Sequence, residues 1–424
     1  MATVSRGLPQ RPHLDIPKRE ARELLNAWRA AQPEALDRIR GRHPKFKSAD
    51  DAALKAATFR LSDAQLVIAR EYGFAHWTEL KERISANSVA GALDTAIRAD
   101  DREAVVQLLR ANPKLLRVPV WSGNWGPPMS HAANLGRLEI IKAVAALGAK
   151  DFQHAFDRAL LQGRIECAQW LLEHGAKLVP GIVMGSCETL KPAGLQFLAD
   201  VNAPFTDQHG NRLAPLALAL GTYSRRPEDK HAVLDIFVRR GYELPDTPMM
   251  AFHRGQVDRL KDYLRRDPEL IGRRFSQREI FPPELGFVGE MVAMCGTPLD
   301  GTTLLHLAID YDEQEIFDLL LARGADVNAR ATVEADGFGG HTPLFNAVVS
   351  CAYTNGRQRD AAMARALLAH GASPTARASV RKFVDWIEQP RWHEVRNVTA
   401  AEWGRTFPLQ NLVNVEALRL LEQH

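Results

Sequence analysis

Apolar side chains along TTLLHLAIDYDEQEIFDLLLARGADVNAR, residues 302–330, recur with the period of two short helices. Leu304, Leu305, Ala308 and Ile309 share one helical face, and Ile316, Leu319 and Leu320 share another. The polar run DYDEQE between them reads as a turn, so the two segments form an antiparallel pair. Gly324 stops the second helix, because a left-handed C-terminal residue costs glycine no steric penalty. Such a pair covers only one side of its own apolar face. It needs neighbours stacked on it, the condition that produces a solenoid.

The same order of elements recurs in PPMSHAANLGRLEIIKAVAALGAK (127–150), in AFDRALLQGRIECAQWLLEHGAK (155–177), and with an insertion in residues 341–377. Looser copies occupy 91–116, 183–205, 213–244 and 247–271. The spacing stretches and shrinks around a period of about 33 residues. These stretches resemble the ankyrin repeat, whose pattern runs roughly D-x-x-G-x-T-P-L-H-x-A-A-x-x-G and then I-V-x-x-L-L-x-x-G-A-D-V-N. DGTTLLHLAIDYDEQEIFDLLLARGADVNAR matches it closely, and GGHTPLFNAVV with ALLAHGASPTAR matches it well. The resemblance covers residues 91–380 and implies an all-α fold: an elongated ankyrin-repeat α-solenoid of about eight units with helical N- and C-terminal caps and a concave binding face.

Residues 1–90 read as four short helices that cap the first repeat, with Ser62 or Asp63 at the start of the third. A helix-turn-helix over 62–84 is the weaker alternative, because Trp77, Leu80 and Ile84 make its second helix apolar on one face. Residues 381–424 read as a divergent capping repeat, with Trp386 and Trp392 assigned to packing.

The composition is that of an ordinary folded chain: 424 residues, 46% hydrophobic and 25% charged, with a formal net charge of +3. So even a balance gives no general attraction to nucleic acid or to membranes. No window offers the roughly 20 apolar residues of a membrane helix, and the N-terminus has no apolar core of signal-peptide type. Cys167, Cys187, Cys295 and Cys351 lie far apart without a C-x-x-C, which favours a reducing, cytoplasmic setting over a disulfide framework or a zinc site. GFGGH lacks the pattern of a phosphate loop, and no metal or cofactor is expected. The run GTYSRRPEDKH reads as a solvated loop between helices.

Three irregular loops, 118–128, 275–301 and 334–341, carry aromatics, prolines and glycines where a solenoid needs only a short turn. Trp121 and Trp125 belong to the first of them and Phe281 and Phe287 to the second. If the three project from one edge, they roof the concave face and enclose a pocket. His306 takes the histidine of the ankyrin T-P-L-H pattern, where the resemblance implies a structural hydrogen bond. His131 falls one residue past that place, in which Ser130 stands, and His341 precedes the Thr342-Pro343 pair. Asn134, Asp310 and Tyr311 occupy positions that face the groove in ankyrin arrays. The candidate binding residues are therefore Trp121, Trp125, His131, Asn134, Asp310, Tyr311 and His341. An Asp–Tyr–His set among them is compatible with proton transfer if the three converge. The expected function is recognition of a partner protein through the concave face and the loop fingers. An enzyme or small-molecule receptor roofed by the loops is the alternative, and a DNA-binding regulator is the weaker third.

Overall fold

The computed structural model describes residues 6, 14–86, 89–120, 124–287, 296–355, 360–384 and 390–423. The chain divides into two compact units, Met1–Ala155 and Phe156–His424.

The first unit opens with five helices rather than four: Asp15–Arg29, Pro33–Arg42, Asp51–Ala56, Leu61–Glu71 and Trp77–Ala86. Leu24, Leu36, Ile39, Leu54, Val67 and Ile68 form their core. The helix expected to start at Ser62 or Asp63 is the fourth, Leu61–Glu71, and its N-cap is Arg60. The Asp63 carboxylate accepts the Arg60 backbone N–H at 2.7 Å and so satisfies a donor that the helix start leaves free. Leu80 and Ile84 are buried against Ala69, so the apolar face of Trp77–Ala86 belongs to the interior. The helix Val89–Arg98 then packs on Pro128–Leu135, and Arg102–Ala111 packs on Leu138–Ala146.

The second unit continues with helix pairs, from Met184–Glu188 with Pro192–Asp200 through to Pro343–Val348 with Ala362–Ala369. All eight stretches singled out in the sequence form a helix pair. Pro128, Pro192, Pro227, Pro248 and Pro343 each open a helix, where a missing N–H costs nothing and the fixed φ suits the first turn. Gly324 (φ 76°) ends Gln314–Ala322 in the left-handed region with open space around it, so its value there is conformational. Beyond it, Asn328 ties one outgoing turn to the next. Its amide donates to Gly371 O at 2.9 Å and accepts from Ser373 N at 2.8 Å.

An antiparallel hairpin of strands β1 (Ala378–Val384) and β2 (Arg391–Val398) precedes the last two helices, Ala400–Thr406 and Val415–Leu421. The helical period does not foretell it. The signal is a period of two in ASVRKFV, where Ala378, Val380, Lys382 and Val384 are buried and the residues between them are less so. Trp392 is therefore a correction: it stands on the outer face of β2 and is 49% exposed instead of packed in a core. Trp386 lies outside the described residues. The large buried indole here is Trp403, with no exposed surface.

The described parts of loop 275–301 also turn inward. Phe281 and Phe287 are buried, with ring centroids 5.0 Å apart, and Thr297 has no exposed surface. Residues 288–295, Cys295 included, lie outside the described residues.

Candidate functional site

A buried polar cluster of the second unit grows from the end of the helix Leu304–Asp310. Asp310 closes that helix and Tyr311 follows it as the C-cap. Arg225, two residues before the helix Pro227–Arg239, donates to Asp310 Oδ2 from Nε at 3.1 Å and from Nη2 at 2.9 Å. The same guanidinium reaches the Asp310 carbonyl at 2.9 Å and the Thr222 carbonyl at 2.5 Å. It also lies 4.3 Å from the centre of the Tyr311 ring, and Lys230 Nζ lies 3.9 Å from it. A ring face is electron-rich, so two desolvated cations against it gain electrostatic attraction.

Lys230 carries the chain of contacts onward. Its ammonium donates to His253 Nδ1 at 2.6 Å, which leaves the Nε2–H of that ring to donate to the Ile280 carbonyl at 2.8 Å. Burial, reinforced by the charge of Lys230, holds His253 well below the ordinary histidine range, in keeping with a neutral ring. Beside the cluster, His231 Nε2 meets Glu313 Oε1 at 2.9 Å, and Ser350 donates to the Asp310 carbonyl at 3.1 Å. Arg225, Lys230, His253, Asp310 and Tyr311 are all at most 2% exposed. The set contains two cations, a carboxylate, a neutral imidazole and a phenol, all shut away from solvent. It joins side chains from three successive helix pairs.

Arg225 and Lys230 come from the run read as a solvated loop, and that expectation is corrected here. Arginine and lysine signal surface unless a partner is within reach. Their partners, Asp310 and His253, lie 85 and 23 residues away in sequence.

His341 does not join Asp310 and Tyr311. It packs on His306, with ring centroids 5.7 Å apart. His306 Nδ1 meets Thr303 Oγ1 at 2.9 Å, and its Nε2–H donates to the His341 carbonyl at 3.3 Å. The Nε2–H of His341 donates to the Pro298 carbonyl at 3.0 Å, which pins the far end of the long loop. Burial, helped by the neighbouring His341, pushes His306 down to about 3, and burial pushes His341 down to about 4. Unfolded histidines take a proton below a pH of about 6.5. The unfolded chain then binds more protons than the folded one, so stability falls as pH drops. Each ring is expected to contribute a loss of about 1.4 kcal/mol per pH unit from about 6.5 down to its folded value. Urea unfolding followed from neutral pH to about pH 5 tests this: His341→Gln should flatten the slope, and an unchanged slope would refute it.

In the first unit His131, Asn134 and Trp125 lie near one another around Pro128–Leu135. His131, with no exposed surface, meets Asp94 Oδ1 at 2.9 Å, and Arg98 pairs with the same carboxylate. The half-buried Trp125 ring lies 5.1 Å from His131 and carries the Arg98 guanidinium at 5.2 Å. Asn134 is buried one turn along the helix. Ser130, in the place of the consensus histidine, donates to Asp151 Oδ2 at 2.5 Å. Trp121 lies outside the described residues. Asp94, Arg98 and Asp151 were not singled out in the sequence, because isolated charges in loosely patterned repeats carry no spacing signal.

A cleft of about 750 Å³ in the N-terminal helices is lined by Arg6, Glu20, Asp37, Arg38 and Glu71 among others. Arg38 grips the Glu71 carboxylate with two bonds of 2.9 Å, and Arg6 bonds it as well. Burial pushes that carboxyl up, but the Arg38 hydrogen bonds and the two guanidinium charges outweigh it and hold it below the usual range. The charges lining the cleft thus largely answer one another.

Residues 300–332 match the family model of the ankyrin repeat. The chain carries an ankyrin repeat. The matched segment contains Asp310, Tyr311 and His306, so the buried cluster is built partly from the repeat itself. No curated protein matches the chain by sequence. Among solved structures, it is similar to the human ASB11 ankyrin repeat domain, at 16% identity over 78% of this chain and 96% of that one, with a TM-score of 0.20. The ankyrin architecture stands on the matched repeat and the stacked helix pairs, not on that overlap. Among the described residues, no group of three or more His, Cys, Asp or Glu side chains is arranged to hold a metal ion, and no helix is long and apolar enough to cross a membrane.

Proposed function

We propose that this chain is a protein-interaction module that recognises a partner through its repeat surface and loop fingers. The observation that carries this reading is where the reactive side chains of the ankyrin repeat and its neighbours lie. Asp310, Tyr311, Lys230 and His253 are shut inside the second unit and spent on one another. An enzyme needs such groups within reach of a substrate, whereas an interaction surface needs them only to hold its helices still. Asp310, Tyr311 and His341 then serve as positioning residues. His131 and Asn134 do the same beneath Trp125, which is the described candidate that keeps surface to offer, with Trp121 four residues before it in the sequence. Aromatic anchors of this kind carry a large share of interface energy.

The full chain, tagged and cross-linked to whatever it binds, tests the reading. The expected result is one protein partner at fixed stoichiometry, with Trp125→Ala weakening the complex by about thirtyfold, as loss of about 2 kcal/mol implies. A thermal-shift screen against metabolites and nucleotides is the counter-test. A saturable stabilisation by a small molecule, with no protein partner, would overturn the reading in favour of a receptor or enzyme.

A further inference from the structure

The hairpin leaves one edge of its sheet open. β1 is the inner strand, because its other side meets the preceding finger through the Gly339–Ser379 bridge, and that finger is itself closed by a Val333–Gly339 bridge. β2 is the outer strand. Among the described residues, the backbone groups of 391–396 bond to β1 alone. Six residues of strand offer about 20 Å of unpaired edge. Proteins usually shield such an edge, since it is a template for another strand.

The side chains on the outer face of β2 narrow down what fits. Phe383 faces Trp392 across the hairpin and Arg381 faces Glu394. The Arg381 guanidinium lies 5.0 Å from the Phe338 ring and 5.5 Å from Trp392, and Arg396 lies 4.1 Å from Phe338. Arg381 is neutralised by Glu334 and Asp336. Arg396 donates only to a backbone carbonyl, that of Asp336, and neither Arg391 nor Arg396 has a carboxylate partner among the described residues. Trp392 is 49% exposed. The face thus presents an indole and, four residues on, a guanidinium in need of an anion, about 13 Å apart.

Building on the protein-interaction reading, we infer that β2 is a docking edge for an extended acidic segment of a partner protein, which adds to the sheet as a further strand. Backbone bonds along β2 would supply affinity, and side chains at alternate positions would supply specificity. The incoming strand places an apolar side chain beside Trp392 and a carboxylate beside Arg396, so those two residues lie four apart on one face. A second copy of the chain fits less well. Antiparallel self-pairing centred between His393 and Glu394 sets Arg391 opposite Arg396 twice, and like charges placed opposite destabilise a sheet.

The probe is a labelled synthetic peptide of about ten residues, alternating Thr and Val, with one Phe and one Glu four positions apart. It is made in both chain directions and titrated by fluorescence anisotropy into the full chain. Binding should weaken at least about tenfold for Trp392→Ala, for Arg396→Glu and for a peptide with Lys in place of Glu. Backbone N-methylation of alternate residues should abolish binding in one phase and leave it in the other, because only alternate amides of an added strand face the edge. Equal binding by both N-methylated peptides, by the Lys peptide or by Trp392→Ala would overturn the proposal. So would a dimer in sedimentation that Trp392→Ala dissolves. The exposed Trp392 is replaceable without loss of fold, which an unchanged circular dichroism melt confirms. A partner that is lost with Trp125→Ala but kept with Trp392→Ala would leave the interaction reading standing and refute the docking edge alone.

Discussion

Arg225→Met is expected to cost about 3–5 kcal/mol of stability, the range for breaking a fully buried ion pair. Both partners of the Arg225–Asp310 pair have fully buried side chains. Removing the guanidinium leaves the Asp310 carboxylate in the interior without its counter-charge, and it also strips donors from the Thr222 and Asp310 carbonyls. Asp310 Oδ1 is already buried without a hydrogen-bond partner, so the carboxylate has no spare bond to fall back on. Asp310→Leu should be comparably harmful for the opposite reason, since it strands a buried cation beside Lys230. Combining Arg225→Met with Asp310→Leu should recover much of the loss, because neither member of the ion pair is left behind without the other. Urea unfolding followed by circular dichroism reads all three variants. Single losses below about 1 kcal/mol would mean that the cluster is not the clamp described above.

Trp403→Ala should be as damaging, at about 3–5 kcal/mol, the usual range for truncating a large buried aromatic residue. The indole has no exposed surface and packs on Phe407 at 5.0 Å and on His393 at 5.3 Å. Its Nε1–H donates to Thr297 Oγ1 at 3.1 Å, and Thr297 in turn bonds the Phe345 and Val349 carbonyls. The last helix pair, the hairpin and the end of the long loop therefore share one side chain. Trp403→Phe separates the two contributions: it keeps most of the volume and gives up the hydrogen bond, so a loss nearer 1 kcal/mol is expected. Equal melting temperatures for Trp403→Ala and the parent protein would overturn this account.

The helix pairs were legible because their cause is local. Leu304 and Ala308 in one helix, and Ile316 and Leu320 in the next, repeat at the spacing that gives each helix one apolar face, and the stop at Gly324 follows from one residue's freedom at positive φ. His306 was legible for the same reason, since its partner Thr303 lies three residues away. The candidate site was legible only by halves. Asp310, Tyr311, His131 and His341 stood out through their repeat positions, but nothing in the pattern tells whether such a position opens to solvent or closes on a neighbour. The hairpin hid behind a helical expectation, because its period of two spans only seven residues of β1 and its second strand is mostly exposed.

By itself, then, the sequence determined the repeating helix pair, its turns and the need of each pair for a neighbour. These follow from periodicity and backbone sterics within a few tens of residues. Only the tertiary structure decided that Arg225 would be buried against Asp310, that Lys230 would meet His253, and that Trp392 would face outward while Trp403 faced in. A charged or aromatic side chain has no fixed preference until its partner is known, and these partners are brought together only by the stacking of elements far apart in the chain.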